Sequence, residues 1–278
     1  VTPDEWLVEF ENAVAVPDEQ IDLARAALII AADEYPAIDI AHYLGVLDGM
    51  AEQLRARIDF GAPAIQQVTL LNDFLFGELE FRGNRDEYYD PRNSYLNDVL
   101  DRRTGIPITL SIVYIEIAKR LGLPIVGVNM PSHFIVKWRS DDVVIFIDPF
   151  NGGQVIGQFA LKPISDEAEQ SEIQKRLRWM EAVGAKQILV RMLNNLRLIF
   201  LQRDAFTRAL QIAEKILLLQ PDAPEVLRQA ALLAYQVKAY RRASRYLSDY
   251  LGRFPNSSQA DEMRAHWEEV EEILLRLN

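Results

Sequence analysis

Cysteine is absent from all 278 residues, so the chain can form no disulfide, no thiolate metal site and no thiol nucleophile. Histidine is almost as scarce. His42, His133 and His266 lie far apart, and none belongs to a His-x-His or His-Glu-x-x-His pair of the kind that holds a metal. Positive charge is in deficit, with 30 basic side chains against 41 acidic ones and a formal net charge of −11. That balance argues against nucleic acid or an anionic membrane as the main partner, since both reward clustered Lys and Arg. Arg241, Arg242 and Arg245 form the nearest basic cluster and read as a solvated helix face. Long apolar runs are missing too: none approaches the roughly 20 residues that cross a bilayer. The opening Val-Thr-Pro-Asp-Glu-Trp has neither the basic nor the apolar region of a secretory signal. The expectation is a cytoplasmic chain with no metal, no cofactor, no nucleic-acid partner and no membrane partner.

What is present is the balance of a folded chain, 49% hydrophobic and 26% charged, long enough for two ordinary domains. The first 60 or so residues read as helix. Asp18-Glu-Gln-Ile opens one amphipathic stretch that Pro36 ends; Ile38 to Ile58 and Ala64 to Leu79 give two more. Phe81 to Ser94 is rich in turn formers and mixed charge and reads as a surface loop, with Asn93 or Ser94 placed to cap a short helix through Leu100. A further helix runs from Ile106 to Leu121, with Pro107 in its first turn and Gly122 at its end. The period then shortens toward two. Ile125–Val128, His133–Trp138 and Val143–Ile147 read as three strands joined by short connections, so helices are followed by an antiparallel sheet and the fold class is α+β.

After about Ser165 the pattern is helical again and repeats. Pro221 and Pro255 lie 34 residues apart, and the same offset pairs Phe206 with Tyr240, Ala209 with Ala243 and Leu217 with Leu251. A 34-residue spacing with an aromatic, a small residue and a terminal proline in step is the tetratricopeptide pattern. Two such units and a terminal helix from Ser257 to Leu277 would stack as a short solenoid. The expected domains are residues 1–164 and 165–278.

Four ordered motifs resemble a known family. Tyr89-Asp-Pro-Arg-Asn-Ser-Tyr-Leu-Asn-Asp-Val-Leu and Arg103-Thr-Gly-Ile-Pro-Ile-Thr-Leu-Ser look like the bacterial SirB-type proteins, which carry the domain called transglutaminase-like core 2. Pro131-Ser-His-Phe-Ile-Val and Ile147-Asp-Pro-Phe-Asn-Gly-Gly are similar to the two other signatures. Members commonly append tetratricopeptide-like helices, and the same core occurs in an F-box protein of animals. The resemblance implies a papain-like core whose working parts are a Cys at a helix N-terminus, a His on a strand and an Asp on the next strand. His133 and Asp148 occupy the second and third positions. The first fails: the resemblance puts the thiol about 15 residues before Gly122, at Pro107, which has no nucleophile, or one or two residues on, at Ile108 or Thr109.

Thr109 and Ser111, early in the same helix, are the hydroxyls that could stand in. A hydroxyl needs a placed base and an oxyanion hole, and no Gly-x-Ser-x-Gly elbow is present. Asp86, Glu87 and Asp90 form an acidic loop without the Asp-x-Asp-x-Asp-Gly calcium pattern. Tyr88 and Tyr89 are placed either to anchor a partner or to pack that loop. Three functions stay open: a non-catalytic interaction or regulatory protein holding a protein partner, a hydrolase or acyltransferase using Thr109 or Ser111 with His133 and Asp148, and a sensor of a small molecule or peptide in the former cleft.

Overall fold

The computed structural model describes residues 3–131, 133–160 and 181–277. It divides into two compact units, residues 1–192 and 193–278. The boundary expected after residue 164, and the helix start expected near Ser165, lie outside the described residues.

The first unit begins with α1 (Pro3–Val14), a 3-10 turn at Asp18–Gln20, α2 (Leu23–Ala31), α3 (Ile40–Arg55) and α4 (Ala64–Asn72). The helix expected to open at Asp18 opens five residues later. Asp22 accepts from the N–H of Arg25 at 3.0 Å and so takes the N-cap. Asp39 caps α3 in the same way, accepting from the N–H of His42. The third expected helix divides, because α4 widens at Asp73 into a π-helical turn through Glu78. Periodicity does not register that change.

The cap expected at Asn93 or Ser94 is not there. Tyr95 holds the N-cap of α5 (Leu96–Arg102) without a side-chain bond, while Asn93 and Ser94 are both buried. Asn93 instead pins the preceding loop: its Nδ2 donates to the Glu87 carbonyl at 2.7 Å and its Oδ1 accepts from Asn84 at 3.1 Å. Two short strands, β1 (Arg82–Gly83) and β2 (Thr104–Gly105), pair in parallel on either side of that loop.

The helix α6 (Pro107–Leu121) starts on its proline and stops at Gly122, whose φ of 73° is the left-handed closure that glycine allows. Every residue from Pro107 to Ala118 is buried. The helix packs against β3 (Ile125–Met130) and β4 (His133–Arg139). The sheet is antiparallel with order β6-β5-β4-β3-β7. Its middle strands, β3, β4 and β5 (Val143–Asp148), are those the sequence gives away; β6 (Gln154–Ala160) and β7 (Ala182–Val183) extend it at both edges. Val128, Ile135, Val144 and Phe146 form a buried apolar cluster across the sheet.

Asp18, freed from helix initiation, has another use. Its Oδ1 accepts from the N–H of Lys186 at 2.7 Å, in the first turn of α7 (Ala185–Gln202). A Cβ at Gly184 would lie 1.5 Å from Asp18 Oδ2, so only glycine lets the carboxylate come this close.

In the second unit α8 (Phe206–Leu219) and α10 (Tyr240–Arg253) begin 34 residues apart, each followed closely by its proline, Pro221 or Pro255. With α9 (Pro224–Gln236) and α11 (Ala260–Leu277) they pack in sequence, each helix on the next. Ala209 and Ala243, in matching positions, are both fully buried. The terminal helix starts at Ala260 rather than Ser257. The basic cluster is only partly a solvated face: Arg242 pairs with Glu214, and Arg245 stacks on Tyr246 with its guanidinium 4.9 Å from the ring centre. Mostly helical elements around a small antiparallel sheet, followed by tetratricopeptide-like hairpins, make the chain α+β.

Candidate functional site

His133 opens β4 and Asp148 closes β5, so antiparallel pairing puts both at one end of the sheet. Strand alternation points both side chains to the same face. His133 Nε2 lies 2.8 Å from Asp148 Oδ2. Asp148 is buried, while the His133 side chain stays 31% exposed. The carboxylate has further work: Oδ1 accepts from the N–H groups of Phe150 (3.1 Å) and Asn151 (3.3 Å), and Oδ2 accepts from Asn151 Nδ2 (2.7 Å). Three donors other than the ring converge on the carboxylate, so Asp148 serves as an acceptor there, and the Nε2–H tautomer of His133 is the one that matches it. Asn151 Oδ1 accepts in turn from Arg85 Nη2, so one hydrogen-bonded chain runs Arg85–Asn151–Asp148–His133.

Aromatic rings wall this end of the sheet. Phe150 meets His133 edge-on at 6.5 Å and Tyr88 at 6.2 Å, with the Arg85 guanidinium 5.4 Å from its ring centre. On the other side stands Met130, the register partner of His133. Its carbonyl accepts from Arg191 Nη1 at 3.1 Å, and the same nitrogen donates to Asn129 Oδ1. Arg191 lies over Phe134, its guanidinium 5.8 Å from the ring centre. Burial lowers the Arg191 guanidinium from its ordinary pKa, with only the Tyr88 phenol opposing, and burial raises Tyr88. Of the two tyrosines, Tyr88 packs inward and Tyr89 points out, 62% exposed.

The turn after Asp148 is pinned from behind. Asn72 Nδ2 donates to the Gly153 carbonyl at 2.7 Å, and Tyr114 donates its hydroxyl to Asn72 Oδ1 at 2.9 Å. Gly153 has φ +75°, and a Cβ there would lie 2.4 Å from Asn72 Oδ1.

The three residues weighed for the first position of the triad are all buried in α6. Pro107 begins the helix. Thr109 Oγ1 donates to the Asn93 carbonyl at 2.7 Å and accepts from the Ile106 N–H at 3.1 Å, as half of a capping arrangement. The Ser111 hydroxyl has no hydrogen-bond partner among the described residues and no exposure. Neither hydroxyl bonds to His133. In the acidic loop Asp90 caps the 3-10 turn Pro91–Asn93 and pairs with Arg92 and Arg102. Among the described residues no group of three or more His, Asp or Glu is placed to hold a metal ion. Sequence reading missed Arg85, Arg191 and Asn72 in this neighbourhood. Asn151 lay inside a quoted motif, yet nothing in the motif says that it bridges an arginine to the aspartate.

Comparison with known proteins gives a consistent picture. Residues 41–194 match the sequence profile of the transglutaminase-like superfamily, and residues 196–268 match the tetratricopeptide repeat. The chain is 37% identical over 262 residues to a UPF0162 protein of Xylella fastidiosa, covering 92% of each chain. It is 26% identical over 187 residues to a UPF0162 protein of Vibrio cholerae, covering 67% of this chain and 69% of that one. It is also 33% identical over 187 residues to F-box only protein 21 of Mus musculus, covering 63% of this chain and 28% of that protein.

Proposed function

The chain belongs to the transglutaminase-like superfamily, and from that premise we propose that it is a non-catalytic interaction protein that holds a protein partner. The observation that carries this reading is the state of the two hydroxyls. Thr109 spends its hydrogen on the Asn93 carbonyl, and Ser111 is sealed inside α6. A nucleophile must reach both its base and its substrate, and neither hydroxyl does. His133 and Asp148 keep the geometry that a triad uses for its second and third members, without a first. The tetratricopeptide-like helices supply the second support, since such arrays present extended surfaces for peptides and helices.

A fluorophosphonate probe tests the reading directly. The expected result is no labelling of the folded chain. Covalent labelling of Thr109 or Ser111 that disappears in a His133→Ala protein of unchanged melting temperature would sink it. On the binding side, photo-crosslinking residues installed on α8 and α10 of the full chain should capture a partner protein reproducibly.

A further inference from the structure

The end of the sheet carries an unusual distribution of charge for a chain with a net charge of −11. Arg85 and Arg191 both lie at this end of the sheet, one on Asn151 and the other on the Met130 carbonyl. Contacts link them in series: Arg85 lies on Phe150, Phe150 meets Tyr88, and the Tyr88 phenol acts electrostatically on Arg191. The hydrogen bonds of both guanidiniums go to neutral oxygens, those of Asn151, Asn129 and Met130, and among the described residues neither pairs with a carboxylate. Six other arginines of the same unit, Arg25, Arg55, Arg57, Arg92, Arg102 and Arg120, each face an Asp or Glu, whereas Arg103, which stacks on Phe81 and donates to the Leu79 carbonyl, is bound as these two are but stands apart from a second cation of its kind. Arg191 is half-buried, which makes an unneutralised guanidinium costly and its neutralisation by a ligand favourable. The carboxylate of the dyad, Asp148, already accepts from three donors besides the His133 ring.

We propose that this series of side chains is a docking site for an acidic segment of a partner polypeptide, one carboxylate on Arg191 and a second on Arg85. The Phe150 and Tyr88 rings between them offer an apolar floor to an intervening side chain. Two cations at opposite ends of an aromatic strip select two separated carboxylates, which an Asp- or Glu-bearing peptide supplies. The inference rests on the non-catalytic reading above and names the chemistry of the partner at the old cleft.

The test uses the full chain and fluorescein-labelled Glu-Glu-Phe-Glu-Glu, with Gln-Gln-Phe-Gln-Gln as the neutral control and glutarate as a free dicarboxylate. Fluorescence anisotropy should show saturable binding of the Glu peptide, weakened by salt, with the Gln peptide at least about tenfold weaker. Arg191→Gln and Arg85→Gln should each cost about tenfold, and Arg191→Lys, which keeps the charge, should restore most of the loss. Melting temperatures report whether each variant folds. Equal binding of the Glu and Gln peptides, unchanged binding in the Arg85→Gln Arg191→Gln protein, or glutarate binding as tightly as the peptide would each overturn the proposal. If the Glu peptide fails to bind while crosslinks on α8 and α10 still capture a partner, this inference falls and the scaffold reading stands. If the peptide is bound and then cleaved in a His133-dependent way, the docking site stands and the non-catalytic reading falls.

Discussion

The helices α6 (Pro107–Leu121) and α10 (Tyr240–Arg253) are of similar length and solve opposite problems. The first is enclosed on all sides and brings Thr109, Ser111 and Glu116 inside with it. The second buries a stripe of Ala243, Tyr246, Leu247 and Tyr250 and leaves its other face polar. Around α6, polar groups are fixed by bonds to the loop and helix that also support the site, such as Thr109 to Asn93 and Tyr114 to Asn72. Around α10, contacts and bonds stay within the array, as when Tyr246 donates to Glu214 on α8. Damage in the first region therefore spreads to the site, whereas damage in the second stays with the repeat.

The sharpest way to break that contrast is a pair of size changes. Ile112→Ala, at a fully buried position of α6, should cost about 3 to 4 kcal/mol and lower the main melting transition. Ala243→Leu should cost about 1 to 3 kcal/mol, and hydrogen exchange should show the loosening confined to α8–α11. A uniform loosening of both units by Ala243→Leu would contradict the contrast.

Next in size is Thr109→Val. It leaves the Asn93 carbonyl and the Ile106 N–H without a partner and should cost about 1 to 2 kcal/mol in denaturant unfolding. A neutral result would mean that this hydroxyl is not structural and would reopen it as a nucleophile.

The pH dependence of the two helices should run at opposite ends of the scale. Burial raises the Glu116 carboxyl above its ordinary value, with Arg120 opposing. The folded state thus keeps this proton longer than the unfolded state. The associated stability is complete below the ordinary value of 4.5 and is lost as pH rises through the raised one. Glu116→Gln should remove that decline from a urea-unfolding series taken between mildly acidic and neutral pH.

In α10, burial and the neighbouring Glu214 push the Tyr246 phenol up to about 12. Its hydroxyl donates to Glu214 Oε1 at 2.7 Å, and that bond is complete below the ordinary value of 10.0 and lost as pH climbs through about 12. Tyr246→Phe should cost about 1 kcal/mol at neutral pH and remove the corresponding alkaline step.

Local signals were enough for much of the fold. Pro107 and Gly122 bracket α6, β-branched runs mark β3, β4 and β5, and the 34-residue offset marks α8 and α10. The elements that escaped are those whose cause is distant in sequence. The strands β1 and β2 exist because Arg82 and Gly83 find Thr104 and Gly105 as partners across a loop. Asn93 looks like a cap by type and position, but its amide is drawn to Glu87 and Asn84. At the site, the contact between His133 and Asp148 follows from adjacent strands of readable period. Arg85 and Arg191 carry no such mark, because what brings them to the dyad is a ring they stack on or a carbonyl they reach.

The clasp between Asp18 and the first turn of α7 spans 168 residues of chain. During synthesis from the N-terminus, the carboxylate is made early and its partner N–H late, so α1 and α2 spend most of translation without it. Contacts of such separation are slow to form, which makes this stitch a closing event in assembly rather than a nucleus. The glycine at position 184 keeps that late step possible: a residue with a Cβ there would meet the Asp18 carboxylate and leave the early helices without their fastening.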